Sequence, residues 1–220
     1  MSTAEDIRIL FVERVVANLI KQLGGTLFGS PRKLAPLWER AREMGKLVTA
    51  MRYSYLDDAL IREMPEQERL RAMGAEIVAA LEAEHRAQRD KLALLRFYRL
   101  TFGQFREAFG LEPELPSAVA VEVGEVGTVS RHPKAKMLVL CRVQVFGERL
   151  EIVTNLKKTR PGQRMRVAMV LPAEVMGVLS EAQFVGWAQE GEQLGARPAL
   201  GEHERAEIRK TMGAYLDAAG

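Results

Sequence analysis

Ten basic side chains crowd into the stretch from Arg131 to Arg166, and only Glu148 and Glu151 stand against them. Ten against two is a local surplus of eight, whereas the whole 220-residue chain carries +3. Lys and Arg so grouped displace counterions from a phosphate backbone, and the binding that results weakens steeply with salt. The bland alternative is a run of solvated charges on an outer face. Rings that could stack on bases are scarce in the window, which holds only His132 and Phe146. That disfavours single strands bound by stacking and leaves a folded RNA, met by shape and backbone.

Bond-making chemistry finds less support. His85, His132 and His203 fall on three different predicted elements. No G-x-S-x-G, H-E-x-x-H or phosphate loop is present. Gly24-Gly25-Thr26-Leu27-Phe28-Gly29-Ser30 has the glycines of a phosphate cradle but no Lys where one is required, and reads as a turn between helices. Cys141 is the one cysteine, which excludes an internal disulfide and a multi-cysteine metal site and suits a reducing cytoplasm. No catalytic residue, metal or cofactor is expected, and the protein is not expected to be an enzyme. A helical enzyme that uses the strand-rich half to recruit RNA stays open as a third reading. The most apolar stretch, Ile7 to Leu23, is interrupted by Arg8, Glu13, Arg14 and Lys21. No membrane span or signal peptide is expected, and the predicted location is cytoplasmic.

The elements that must position these residues change period partway along the chain. Residues 1–112 are helical by spacing. Ile7, Leu10, Val15, Leu19 and Leu23 mark a first helix, stopped by Gly24-Gly25. Ser30-Pro31 starts a second that runs to about Met64. From Pro65, apolar residues recur at steps of three or four from Leu70 through Ile77 and Leu92 to Phe109. Unbroken, that stripe spans roughly 45 residues and about 65 Å. It predicts one long helix in a hairpin or bundle, or a coil between two copies, and hence a homodimer. His85 and Gln88 interrupt the stripe, setting register or marking where the helix leaves its partner.

Glu112-Pro113-Glu114-Leu115-Pro116-Ser117 reads as a boundary, and residues 113–118 as a linker. Beyond it the period falls to two, and five short strands follow within residues 119–192. Such a run argues for a small, closed or nearly closed β-barrel. Residues 193–220 form an extension with a helix from Gly201. The fold class expected is therefore α+β: a helical domain, a small five-stranded barrel and a short C-terminal helix. In OB barrels strands two and three and their flanking loops bind oligonucleotides, and the basic window covers those elements.

Several motifs in order are familiar. Val121-Glu122-Val123-Gly124-Glu125-Val126 resembles an opening V-x-V-G-x-V. Arg131-His132-Pro133-Lys134-Ala135-Lys136-Met137-Leu138 resembles H-P-N-A-D-K-L. Glu151-Ile152-Val153-Thr154-Asn155, Pro161-Gly162-Gln163 and Met176-Gly177-Val178-Leu179-Ser180-Glu181 follow in the expected places. Together they resemble the tRNA-binding OB-fold domain appended to methionyl- and phenylalanyl-tRNA synthetases and found in freestanding tRNA-binding proteins. Residues 1–112 carry no familiar motif.

The resemblance implies binding to the folded corner of tRNA, without chemistry on it. Arg131, Lys134 and Lys136 are then phosphate contacts, and His132 donates to ribose or phosphate or else is a loop residue braced by Pro133. Asn155 reads a base edge or 2′-OH, or forms a turn. Lys157, Lys158 and Arg160 make a basic arm, Arg142 points to groove or solvent, and Ser180 is a contact or a turn residue. Two departures cut in opposite directions. Lys136 replaces an acid of the family pattern, which favours phosphate contact. Glu174 and Met176 replace bases, which leaves room for a protein-protein or chaperone-like module on the same fold. An aminoacyl-tRNA synthetase is the protein partner implied.

Overall fold

A computed structural model of the chain describes residues 3–217. It divides into two compact units, one ending at Ala118 and the other beginning at Val119.

The first unit is helical: α1 (Ile7–Gly24), α2 (Pro31–Arg52), α3 (Asp58–Glu63), α4 (Pro65–Glu84), α5 (Arg89–Ala108) and α6 (Leu115–Ala118). Asp6 caps α1 by accepting from the Arg8 N–H at 2.9 Å. Helix α2 stops at Arg52, short of the Met64 that its spacing suggested. Ser54 Oγ donates to the Met51 carbonyl at 2.8 Å, and Asp57 accepts from the Leu60 N–H at 2.9 Å to start α3. Local hydroxyl and carboxylate bonds thus outcompete continued helix there.

The long stripe is not one helix. His85 ends α4, and its Nε2 meets the Phe28 carbonyl at 3.0 Å. The chain turns through Gln88 and resumes as α5, which packs back on α4. Leu70, Ile77 and Leu81 of α4 and Leu95, Phe102 and Phe105 of α5 are all buried. The hairpin and its neighbours cover the stripe within the unit, so the reason for expecting a coil between two copies disappears. The segment expected as a linker is also structured: Leu115, Pro116 and Ser117 are buried in α6, against α1 and α5.

At the centre of this unit Arg8 is fully buried. It holds Asp6 (Nη2 to Oδ2, 2.6 Å) and Asp58 (Nη2 to Oδ1, 2.7 Å), and donates to the Ala108 and Leu111 carbonyls at 3.1 and 3.2 Å. Burial works against its charge, yet the hydrogen bonds it donates to Asp6 and Asp58, with the attraction of the two carboxylates, outweigh it and hold the guanidinium pKa above its ordinary value.

The second unit is a five-stranded antiparallel sheet in the order β3-β2-β1-β4-β7, with a β5-β6 hairpin and helix α7 (Glu202–Asp217). The strands are β1 (Val121–Arg131), β2 (Val139–Val145), β3 (Glu148–Thr154), β4 (Arg164–Ala168), β5 (Ala173–Val175), β6 (Val178–Ser180) and β7 (Gln183–Trp187). A bulge between Val126 and Thr128 bends β1, which pairs with β4 before it and mostly with β2 after it. Alternation puts Cys141 and Val143 of β2, Leu150 and Ile152 of β3, and Met165 and Val167 of β4 in the core. The hairpin turns at Phe146-Gly147 and Met176-Gly177 need left-handed backbone at both central residues, with φ of 53° and 74°, then 52° and 84°.

The outer edge of β3 is covered by the segment leading into β7. Ser180 Oγ accepts from the Val153 N–H at 3.0 Å, Glu181 Oε2 from the Glu151 N–H at 2.7 Å, and Glu181 N–H donates to the Glu151 carbonyl at 2.9 Å. Residues 193–217 belong to the same unit. Val123 exchanges backbone bonds with Gly195 and Ala196, and α7 buries Ile208 and Met212. Arg166, 2% exposed, is clamped by Glu192 and Glu204, each at 2.6 Å. The Arg166 hydrogen bond holds the Glu192 carboxyl below its ordinary value.

Burial pushes the Cys141 thiol up to about 11. Iodoacetamide at pH 8 is therefore expected to leave the native protein unlabelled and to alkylate it stoichiometrically once unfolded; fast labelling of native protein would show that strand β2 is misplaced. No described helix is long and apolar enough to cross a membrane.

Candidate nucleic-acid interface

The β1–β2 loop leaves the sheet at Arg131, which is exposed, and turns at once through a buried histidine. His132 Nδ1 accepts from the Lys134 N–H at 3.1 Å. Its Nε2 must then carry the proton, and it donates to the Val175 carbonyl of β5 at 3.1 Å. One imidazole thus ties the β1–β2 loop to the β5–β6 hairpin. With both nitrogens engaged, His132 is a brace for the neighbouring lysines rather than a group facing outward.

The lysines lie over this junction. A Cβ built on Gly177 would sit 2.7 Å from Lys134 Nζ, so the Lys134 side chain runs across the hairpin turn. Lys136 is exposed. Next to it Met137, 66% exposed, places its sulfur 3.0 Å from Lys157 Nζ in the β3–β4 loop. Lys134, Lys136 and Lys157 therefore share one corner, with Lys158 and Asn155, both exposed, beside them in the same loop.

Other residues singled out from sequence lie elsewhere. Arg142 stands on the outer face of β2 and is paired with Glu151 at 2.9 Å. Arg160 lies where its loop rejoins the sheet: Gly162 and Gln163 bond to Val126, five residues up β1 from Arg131, about 17 Å along the strand. Ser180 Oγ is used up within the fold, accepting from Val153 and donating to the Ala182 carbonyl at 3.1 Å. Arg166 belongs to the basic window by sequence but is withdrawn into its ion pairs.

Beside the lysine corner opens a groove of about 650 Å³ that sequence reading did not anticipate. Its apolar part comes from Leu138, Val153, Leu156, Phe184 and Trp187, and its polar part includes Asn155, Gln183 and Glu207. Thr211 Oγ1 donates to Gln183 Oε1 at 2.8 Å and so fixes α7 along this edge. Trp187 is 43% exposed. The one signal for it in the sequence is a tryptophan on the outward phase of a strand. Nothing in the α7 sequence declares that the helix would flank β7. Among the described residues no cluster of His, Cys, Asp or Glu could hold a metal ion.

Residues 121–200 match the family model described as a putative tRNA binding domain, the range in which the ordered motifs fall. Residues 1–94 match a second model, described as an alpha helical domain. No curated protein matches the chain.

Proposed function

We propose that the second unit binds folded tRNA by its backbone, without chemistry on it. The observation that carries this reading is the meeting of Lys134, Lys136 and Lys157 at one corner, braced from beneath by His132. The family match at residues 121–200 supports it. So does the strand order, which suits a five-stranded OB barrel whose β1–β2 loop and β4–β7 connection are the ligand loops. Arg131, Lys134, Lys136, Lys157 and Lys158 contact phosphates, with Arg142 and Arg160 at the margin. Asn155 meets a ribose or base edge. The helical unit serves as the docking part for a synthetase, a reading that rests on the resemblance of the second unit to synthetase-appended modules.

With about five phosphate contacts, affinity for tRNA is expected to fall roughly 100- to 1,000-fold between 50 and 200 mM salt. Filter retention of labelled tRNA at stepped salt measures it. Binding that ignores salt, or no retention at 50 mM, would overturn the reading. A polypeptide-binding module has in its favour the exposed Met137 and Met176 beside the same corner. It predicts copurifying protein and an absorbance ratio free of RNA.

A further inference from the structure

Resting on the tRNA reading, we infer that the groove between β7 and α7 holds one unpaired guanine of the bound RNA. Its position is the first reason. Leu138 and Leu156 on its wall are near chain neighbours of Lys136 and Lys157, so a strand following the cations passes the groove mouth. Backbone contacts at the corner and a partly apolar, open groove next to it suit a nucleotide swung out of its stack, since unstacked bases are read by their edges and by aromatic faces. Trp187, partly open and lining the groove, supplies such a face, and every base has a π-face to lay on it.

The polar groups select the base. Glu207 lines the groove, and its carboxylate forms no hydrogen bond or ion pair among the described residues. A carboxylate would repel phosphate, so in a site flanked by lysines it calls for a donor. Guanine alone presents two adjacent donors, N1–H and N2–H, which two carboxylate oxygens can accept together. Its O6 then needs a donor of its own. Among the described residues Gln183 uses its side-chain oxygen on Thr211 and its amide N–H groups on nothing, and the Asn155 side-chain amide forms no hydrogen bond. Uracil, cytosine and adenine each offer one donor or a donor beside an acceptor, and leave a carboxylate oxygen facing a lone pair.

The test uses full-length protein with Trp38→Phe, so that Trp187 is the only tryptophan. Three RNA duplexes of one sequence are titrated at low salt: fully paired, with one bulged guanosine, and with one bulged uridine. The bulged-guanosine duplex is expected to bind about tenfold more tightly than the other two and to quench Trp187 emission. Glu207→Ala, at a partly exposed helical position where Ala is well tolerated, should abolish that preference without weakening the paired duplex, whose affinity rises slightly as a charge that repels phosphate is lost. Equal, salt-dependent binding of all three with unmoved emission overturns the guanine site and leaves the tRNA reading standing. Failure of all three duplexes and of tRNA to bind overturns both. Quenching by an apolar nonapeptide but by none of the RNAs overturns the guanine site and assigns the groove to polypeptide.

Discussion

Lys134→Glu/Lys136→Glu is expected to weaken tRNA binding about 100-fold near physiological salt. It should also lower the slope of log affinity against log salt by about two. Both side chains are exposed, so the exchange leaves the fold intact. On the proposed reading each reversal removes one phosphate contact and adds a repulsion at the point where the β3–β4 loop brings Lys157 alongside. Arg149→Glu is the control: it is exposed on β3 opposite Gln144, away from the corner, and should cost less than threefold. The double variant changes the charge by four and the control by two, so a loss of about tenfold from the control, half as large on the log scale, would mean that net charge alone is felt. No loss from the double variant would place the RNA elsewhere.

Arg8→Met is expected to destabilise the helical unit by about 3–5 kcal/mol, a large share of the roughly 5–15 kcal/mol that holds a typical domain together. The methionine fills the space but leaves the Asp6 carboxylate, 5% exposed, without its cation. The Ala108 and Leu111 carbonyls also lose their donor, and Phe109 loses the guanidinium 4.5 Å above its ring. Arg8→Lys should recover only part, because a single ammonium cannot reach two carboxylates and two carbonyls in one plane. Urea unfolding followed by helical circular dichroism measures both variants. A midpoint for Arg8→Met within experimental scatter of the parent would show that α1, α3 and the end of α5 are held by packing alone.

Periodicity and motif order carried much of this architecture. Alternation located β2 by Cys141, Val143 and Val145, and β3 by Leu150 and Ile152, because one face of each strand is buried. It missed the β5-β6 hairpin, whose residues, Ser180 excepted, are exposed or half-buried and so carry no period. Helical spacing found the stripe from Leu70 to Phe109 but could not show that it folds at His85. A hairpin and a straight helix bury the same residues at the same steps; only the Phe28 carbonyl, far away in sequence, marks the break. Charge counting gathered Arg166 with the loop lysines, since net charge is blind to Glu192 and Glu204 arriving from beyond the window. His132 was legible as important but not as to why. A histidine in a basic loop looks like a contact until a carbonyl from another hairpin occupies its second nitrogen.

That imidazole has a consequence for affinity. Because His132 fastens the lysine-bearing loop to the β5–β6 hairpin, the two segments are tied together within the folded unit itself. The entropic penalty of ordering them falls on the folding of the unit rather than on association. A handful of cations on a rigid platform can therefore hold what the same cations on a floppy tail would release.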